Sequence, residues 1–122
     1  MKTVSVVNRT RDRPLGDRVA LADGFLTRLR GLLGRPEPRD GEGLLIVPSA
    51  GVHMYGMRYP LDVLLLDGRG TVLAAYPGLA PWRRTRIHRG ARAALELPVG
   101  TIGRSGTEEG DLLEWSGRKH AD

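Results

Sequence analysis

A carboxylate stands at the start of the most apolar run in the chain, directly after a turn that carries several reactive side chains. The stretch HMYGMRYPLDVLLLD covers residues 53–67, and Asp62 lies where a buried strand is expected to begin. A buried carboxylate without a partner is costly and tends to take up a proton. The sequence therefore predicts a partner for Asp62, which can be Arg58, His53 or a pair of main-chain N–H groups.

Two roles are open for Asp62. As a structural latch, it would accept hydrogen bonds from the preceding loop and hold the turn YGMRYP (55–60) in place. As a site residue, it would line a pocket together with His53, Met57 and Arg58. A His53–Asp62 pair is also suited to acid–base catalysis in a hydrolase or isomerase, although neither Ser49 nor Ser105 lies in a nucleophile-elbow pattern.

The chain offers little for binding a metal or a cofactor. It contains no cysteine, which excludes disulfides and thiolate ligands, and His53 has no second histidine within a few positions. The glycines of GRGTV (68–72) are too closely spaced for a phosphate-binding loop. We expect neither a metal nor a cofactor.

A second group of candidate residues lies in PWRRTRIHRGAR (81–92), where arginines follow an aromatic side chain. Phosphate contacts combined with a stacking ring are typical of single-stranded nucleic-acid binding. The alternative is a solvated loop between two strands. Glu96, within the apolar run LELP (95–98), is a natural salt-bridge partner for Arg58 or for this tract. The candidate anion-binding residues are Arg83, Arg84, Arg86, His88 and Arg89, with Trp82 beside them.

Composition predicts one small globular domain over residues 1–122, with a core at about 15–115 and a short polar tail at 116–122. The 122 residues are 40% hydrophobic and 27% charged, which is ordinary for a folded domain. The formal charge is +5, and arginine carries nearly all of the positive charge. Arginine excess suits phosphate or carboxylate recognition. The apolar patch near the N-terminus is too short for a signal peptide or a membrane helix, so we expect a cytoplasmic protein without a membrane partner.

The order of apolar and turn residues predicts an α+β domain that is predominantly β. Seventeen glycines and eight prolines indicate many turns, and the sheet is expected to curl into a partly closed barrel. One main amphipathic helix is predicted at about 23–34 from the spacing of its leucines. Predicted strands occupy 3–8, 18–22, a stretch of about five residues beginning near 43, a hairpin over 60–78, the run 91–100 and a last strand at 112–115.

Taken together, FLTRLRGLLGR, GVHMYGMRYPLDVLLLD, GRGTVL, PWR, ALELPVG and a late Gly-Asp resemble a prokaryotic family known as domain of unknown function 192. The resemblance extends over about residues 15–115. It implies a compact β-rich domain, without an established activity, cofactor or substrate. The resemblance also implies a cysteine near position 49 in many relatives, where this chain has Ser49. The matching motif positions are His53, Met57, Arg58, Asp62, Asp67, Trp82, Glu96, Gly100, Gly110 and Asp111.

These observations favour a non-enzymatic binding module with a pocket near the His53–Asp62 loop for a small or anionic ligand. Its lining would include His53, Arg58 and Asp62, with Glu96 and Trp82 nearby. The alternative is a nucleic-acid-binding accessory protein that uses the tract 83–92. An acid–base enzyme is the third hypothesis.

Overall fold

The structure is a computed structural model that describes residues 2–24 and 31–116. Seven strands form one sheet, and one short helix follows the sixth strand. The strands are β1 (Thr3–Asn8), β2 (Arg13–Ala22), β3 (Glu42–Ile46), β4 (Leu61–Leu66), β5 (Val72–Leu79), β6 (Ala93–Leu97) and β7 (Leu113–Ser116), and the helix is α1 (Thr101–Ser105). The prediction of a predominantly β domain is confirmed.

The sheet curls until its two edge strands meet at one end. The strand order is β5-β4-β6-β3-β2-β1-β7, in which only β2 and β3 run parallel. The N–H of Val72 donates to the carbonyl of Asp111 at 2.8 Å, and the N–H of Leu113 donates to Gly70 at 2.9 Å. These bonds join the beginnings of β5 and β7. The expected partly closed barrel is therefore present, and its main-chain edges are paired at this end.

One face of the sheet forms the inner core of the half-barrel. Side chains from all seven strands contribute to it, and α1 adds Ile102. The helix contacts β2 and β5 and buries Thr101, Ile102 and Ser105. It thus covers the end of the barrel that the β5–β7 bonds leave open. The sequence TIGRS has a β-branched start and a central glycine, which is why helical spacing did not predict this element.

A second core lies on the outer face of β3, β4 and β6. Leu44, Val63, Leu65 and Ala94 point outward from these strands and are covered by chain segments that contain no regular strand. The covering residues come chiefly from 31–40 and 47–59, among them Leu32, Val52 and Met54. This outer layer, rather than the barrel interior, contains the candidate site.

Two predicted elements differ from the structure or lie partly beyond it. The strand expected at 18–22 begins five residues earlier, because Arg13–Asp17 continue the antiparallel pairing with β1 through irregular register. The helix predicted over 23–34 falls largely on residues 25–30, which are outside the described residues. Residues 31–34 form a turn.

Candidate functional site

Asp62 is buried and receives three main-chain hydrogen bonds. Its side chain is 1% exposed. One carboxylate oxygen accepts the N–H of Gly78 at 2.8 Å, and the other accepts the N–H groups of Gly100 at 3.1 Å and Ile102 at 2.8 Å. Gly78 lies near the end of β5, and the other two donors lie at the start of α1. Asp62 therefore ties α1 and the end of β5 to β4, and these bonds satisfy its charge without a cation.

The structure does not bring Asp62 together with His53 or Arg58. Asp62 opposes Leu97 in the β4–β6 ladder and shares the inner face with Leu64. The segment that carries His53 and Arg58 covers the outer face instead. No hydrogen bond or ion pair joins these described residues, so the His53–Asp62 pair needed for acid–base catalysis is not formed. The latch expected for the YGMRYP turn instead holds α1, because a period of two puts Asp62 on the face away from that turn.

The outer layer contains a cavity of about 330 Å³ that is partly open to solvent. Its walls are largely apolar, and the segment 48–57 forms most of one side. The apolar lining includes Leu32, Leu33, Ile46, Pro48, Val52, Met54 and Met57, and the polar lining includes Ser49, His53, Tyr55 and Glu96. Of the residues predicted for the pocket, His53, Met57 and Glu96 meet here.

Glu96 is the one carboxylate among the described residues that line this cavity. It opposes Val63 in the β4–β6 ladder and Leu44 in the β3–β6 ladder, so it points to the outer face. The residue is 5% exposed, and burial raises the pKa of its carboxyl group from 4.5 to about 7. Within the described residues, no donor is hydrogen-bonded to it and no arginine pairs with it, so the predicted salt bridge with Arg58 or with 83–92 is absent. The carboxyl group of Glu96 can therefore form hydrogen bonds with a ligand in the cavity.

Two further polar groups of the cavity have partly defined hydrogen-bonding roles. The Ser49 hydroxyl donates to the carbonyl of Gly51 at 2.9 Å, which leaves its oxygen as an acceptor. His53 Nδ1 accepts the N–H of Tyr55 at 3.3 Å, so in the neutral ring the proton is on Nε2. The cavity therefore offers an acceptor at Ser49 and a donor at His53 in addition to the Glu96 carboxyl group.

Arg58 and Trp82 lie outside this cavity. Arg58 is exposed and lines a neighbouring depression with Leu32 and Met57. Trp82 is 67% exposed and stacks on Tyr55, with ring centroids 6.3 Å apart. Trp82 therefore approaches the cavity only through Tyr55, a residue that the sequence did not single out.

The arginine tract lies in a long connection between β5 and β6. Arg83, Arg84, Arg86 and Arg89 are exposed, and none forms an ion pair with another residue of the described chain. His88 differs, because its Nε2 lies 2.8 Å from the Tyr76 hydroxyl and the residue is partly buried. His88 therefore contributes to the packing of this connection rather than to its exposed cationic face.

The late Gly-Asp motif has a structural role at the other side of the barrel. Asp111 accepts hydrogen bonds from Asn8 at 2.9 Å and from Arg11 at 2.6 Å. Burial opposes its ionisation, but the bonds from Arg11 and Asn8 outweigh that effect and lower the pKa of Asp111. Asn8 also donates to Thr107 at 2.9 Å. These partners could not be identified from the sequence. Asn8 and Arg11 lie about 100 positions from Asp111, and Thr107 lies nearby in a turn without a recognisable motif.

Asp67 closes the β4–β5 hairpin. Its carboxylate accepts the N–H groups of Arg69 and Thr71, each at 2.9 Å. The N–H of Thr71 and the other main-chain donors of the turn lower the pKa of Asp67. This Asp-Gly turn was readable from sequence, and the carboxylate serves the turn rather than the cavity.

The described ranges, 2–24 and 31–116, contain neither a metal-binding cluster nor a membrane-spanning helix. No cluster of three or more histidine, aspartate or glutamate side chains there could hold a metal ion. No helix in that part of the chain is long and apolar enough to cross a membrane.

Solved structures share this fold. A protein of unknown function from Novosphingobium aromaticivorans superposes with a TM-score of 0.78 at 25% identity, over 93% of this chain and 84% of the other. A protein from Sinorhizobium meliloti, named as a candidate transcription regulator, also gives a TM-score of 0.78, at 26% identity over 93% of this chain and 92% of that one.

Sequence comparison gives the family. A UPF0127 protein of Pyrococcus furiosus is 33% identical over 116 residues, which cover 91% of this chain and 97% of the relative. A UPF0127 protein of Thermococcus sibiricus is 33% identical over 115 residues, or 90% of this chain and 73% of the relative. The profile of domain of unknown function 192, described as "Uncharacterized ACR", matches residues 6–115. The chain therefore belongs to the domain of unknown function 192 family.

Proposed function

We propose that the protein is a binding module whose outer-layer cavity holds a small, largely apolar ligand that presents a hydrogen-bond donor or a cationic group to Glu96. The observation that carries the proposal is the carboxyl group of Glu96, which is 5% exposed and lines a cavity without a donor from the described residues. Buried polar groups are normally hydrogen-bonded. A carboxyl group left for the cavity is therefore a recognition element.

The size and lining of the cavity support the same reading. A volume of about 330 Å³ is at the lower end of the range typical of small-molecule sites, which are apolar with a few convergent polar groups. Ser49 and His53 add an acceptor and a donor at the wall. An aliphatic or aromatic amine would place its apolar part against Ile46, Val52 and Met54 and its nitrogen against Glu96.

The charge of Glu96 argues against an anion in this cavity. Once ionised, the carboxylate would repel a second negative group, and screening is weak in a buried site. A cationic ligand has the opposite effect, because it favours the ionised carboxylate and offsets the cost of its burial. The anionic ligand suggested by composition therefore fits the exposed arginines better than this cavity.

Thermal-shift screening against primary amines and matched neutral compounds tests the proposal. At least one amine should raise the melting temperature of the wild type, and Glu96→Gln should weaken its binding about tenfold or more, since a hydrogen bond to a charged group contributes about 1.5–3 kcal/mol. Glu109→Gln is the matched control, because Glu109 is exposed and lies outside the cavity. A wild type that no compound stabilises, or equal affinity in Glu96→Gln, would contradict the proposal.

A further inference from the structure

Three aromatic rings form an exposed stack beside the cavity. The rings of His53 and Tyr55 lie 4.8 Å apart with an interplanar angle of 22°. Those of Tyr55 and Trp82 lie 6.3 Å apart at 26°. Tyr55 is 44% exposed and Trp82 67% exposed, so the stack is open to solvent instead of filling the core. Exposed near-parallel rings are a surface on which other planar groups can stack.

The stack rests on a firm main-chain support. The segments 50–54 and 82–88 run antiparallel, and the N–H of Trp82 donates to the carbonyl of Met54 at 2.8 Å. The N–H of Met54 donates to Arg83 at 2.7 Å, and the N–H of Thr85 donates to Val52 at 2.8 Å. His53 and Arg84 are paired in an isolated antiparallel β-bridge between these hydrogen bonds. These bonds hold the two backbone segments that carry the rings side by side.

Trp82 holds an unfavourable backbone conformation. Its φ is 68°, in the left-handed region, at the third position of a turn that the N–H of Arg83 closes by donating to Ala80 at 3.2 Å. Pro81 precedes it, and after proline such a turn normally has glycine or asparagine at this position. A bulky side chain is strained in this backbone region, and such strain clusters at functional sites. An exposed tryptophan at this position is hard to explain by stability.

The two chain segments that carry the stack contain arginines and no acidic residues. Between Asp67 and Glu96 the sequence contains six arginines and no acidic residue, and between Glu42 and Asp62 it contains Arg58 and no acidic residue. Arg83, Arg84, Arg86 and Arg89 are exposed without an ion pair to any described residue. On the side of the stack that faces Arg84 and Arg86, the lining residues therefore include two cations and no acidic side chain.

A second cleft connects the rings with two of these arginines. Its volume is about 520 Å³, and His53 and Tyr55 line it together with Arg84, Arg86 and Ile87. Rings and an exposed Ile87 provide apolar contact, while the two guanidinium groups can each form paired hydrogen bonds with a phosphate. The cleft therefore combines the two contacts that a nucleotide requires.

We propose that this surface binds single-stranded nucleic acid, with one base stacked on Trp82, a second base in the cleft beside Tyr55, and the backbone phosphates on Arg84 and Arg86. Stacking is indifferent to base identity, so binding should depend little on sequence. A duplex should bind worse, because its bases are stacked on each other and cannot reach the rings. An acidic peptide would use the arginines but leave the rings without planar partners.

Fluorescence anisotropy with labelled single strands of about 12 nucleotides tests the proposal. Binding should weaken roughly tenfold or more between 50 and 200 mM salt, as expected for about three phosphate contacts. Trp82→Gly removes the ring without new strain, since glycine adopts positive φ freely, and should weaken binding about tenfold, within the range for loss of one stacked base. The double variant Arg84→Gln/Arg86→Gln should bind about tenfold more weakly and show a smaller salt slope.

The double variant Arg13→Gln/Arg39→Gln is the charge-matched control, because both arginines are exposed and lie outside the cleft. It should keep its affinity within about twofold, and the melting temperature of every variant should be measured to verify folding. No binding by the wild type at 50 mM salt would overturn the proposal, as would equal losses in the two double variants or an unchanged affinity in Trp82→Gly. Tighter binding to duplex, to an acidic peptide or to anionic vesicles would also overturn it, and would identify a different partner.

Nucleic-acid binding at this surface and amine binding in the outer-layer cavity can be tested independently. Glu96→Gln leaves the rings and arginines intact and should bind nucleic acid as the wild type does. Trp82→Gly leaves the cavity lining intact and should retain the amine response.

Discussion

Glu96 is a residue whose position opposes stability. Its side chain is 5% exposed, it lies between apolar neighbours on β3 and β4, and no described residue neutralises it. A leucine or methionine at this position would fill the outer layer at lower cost. Carboxyl groups kept in such places are more easily explained by ligand recognition than by folding.

The raised pKa of Glu96 predicts how stability changes with pH. Between pH 4.5 and about pH 7, the folded chain binds more protons at Glu96 than the unfolded chain does, so the free energy of unfolding falls as pH rises. The loss of unfolding free energy is complete above about pH 7 and amounts to about 3 kcal/mol, at 1.36 kcal/mol for each unit of pKa difference. Urea unfolding at pH 5 and pH 8 should therefore show a smaller loss for Glu96→Gln than for the wild type.

The comparison between the two proteins isolates Glu96, because the other titrating groups are common to both. At about pH 8 Glu96→Gln should be the more stable protein, and near pH 5 the difference should be small. Parallel pH profiles for the two proteins would mean that the carboxyl group is solvated or paired at neutral pH.

At the scale of elements, Asp62 joins three parts of the chain. It lies on β4, and its donors lie at the end of β5 and at the start of α1. A helix of five residues has little stability of its own. Its position across the open end of the barrel therefore depends on Ile102 in the core and on the carboxylate of Asp62.

Asp62→Asn should destabilise the protein by about 2 kcal/mol or more, because the amide nitrogen would face a main-chain donor and the charge that the other bonds require is lost. The measurement is urea unfolding at neutral pH, together with hydrogen exchange at Gly100 and Ile102, which should become faster.

Asp17→Asn is the control for the Asp62 experiment. Its side chain is 69% exposed and, among the described residues, pairs with Arg18 alone, so removing its charge should change stability by less than about 0.5 kcal/mol. If Asp62→Asn were as stable as the wild type, α1 would be held by packing alone.

At the scale of the whole molecule, the barrel is closed by the approach of the β4–β5 turn to the start of β7. Gly70 lies at this junction with φ 95°, and a Cβ there would overlap the carbonyl oxygen of Leu113. The N–H of Leu113 donates to the carbonyl of Gly70, so the β4–β5 turn and the start of β7 are in main-chain contact. Closure therefore requires a residue without a side chain.

Gly70→Ala should cost at least about 2 kcal/mol, from the positive φ and from the separation of the two edges. Thermal unfolding measures the loss, and hydrogen exchange at Val72 and Leu113 locates it. Gly68→Ala in the same turn is the matched control, because its Cβ would meet only Arg92 at 3.8 Å and should change stability by less than about 0.5 kcal/mol. Similar losses of stability in both variants would mean that the substitutions disturb the β4–β5 turn itself rather than its contact with β7.

Much of the fold follows from local patterns. Alternating β-branched residues identified β1, and the Asp-Gly turn between two apolar runs identified the β4–β5 hairpin. A period of two along β4 puts Asp62 on the same face as Leu64 and Leu66, which lie in the inner core. α1 was missed because its five residues lack a helical pattern, and what holds it, the carboxylate of Asp62, comes from 40 positions away.

Residue type and spacing are enough to predict the class of fold, the buried position of Asp62 and the accumulation of arginines without acids between Asp67 and Glu96. Which face of the sheet the segment 48–57 covers could be learned only from the folded structure. That choice separates Asp62 from His53, brings Glu96 to the cavity and puts Trp82 on Tyr55. Alternation defines two faces but not what covers each, because that depends on packing between segments far apart in the chain.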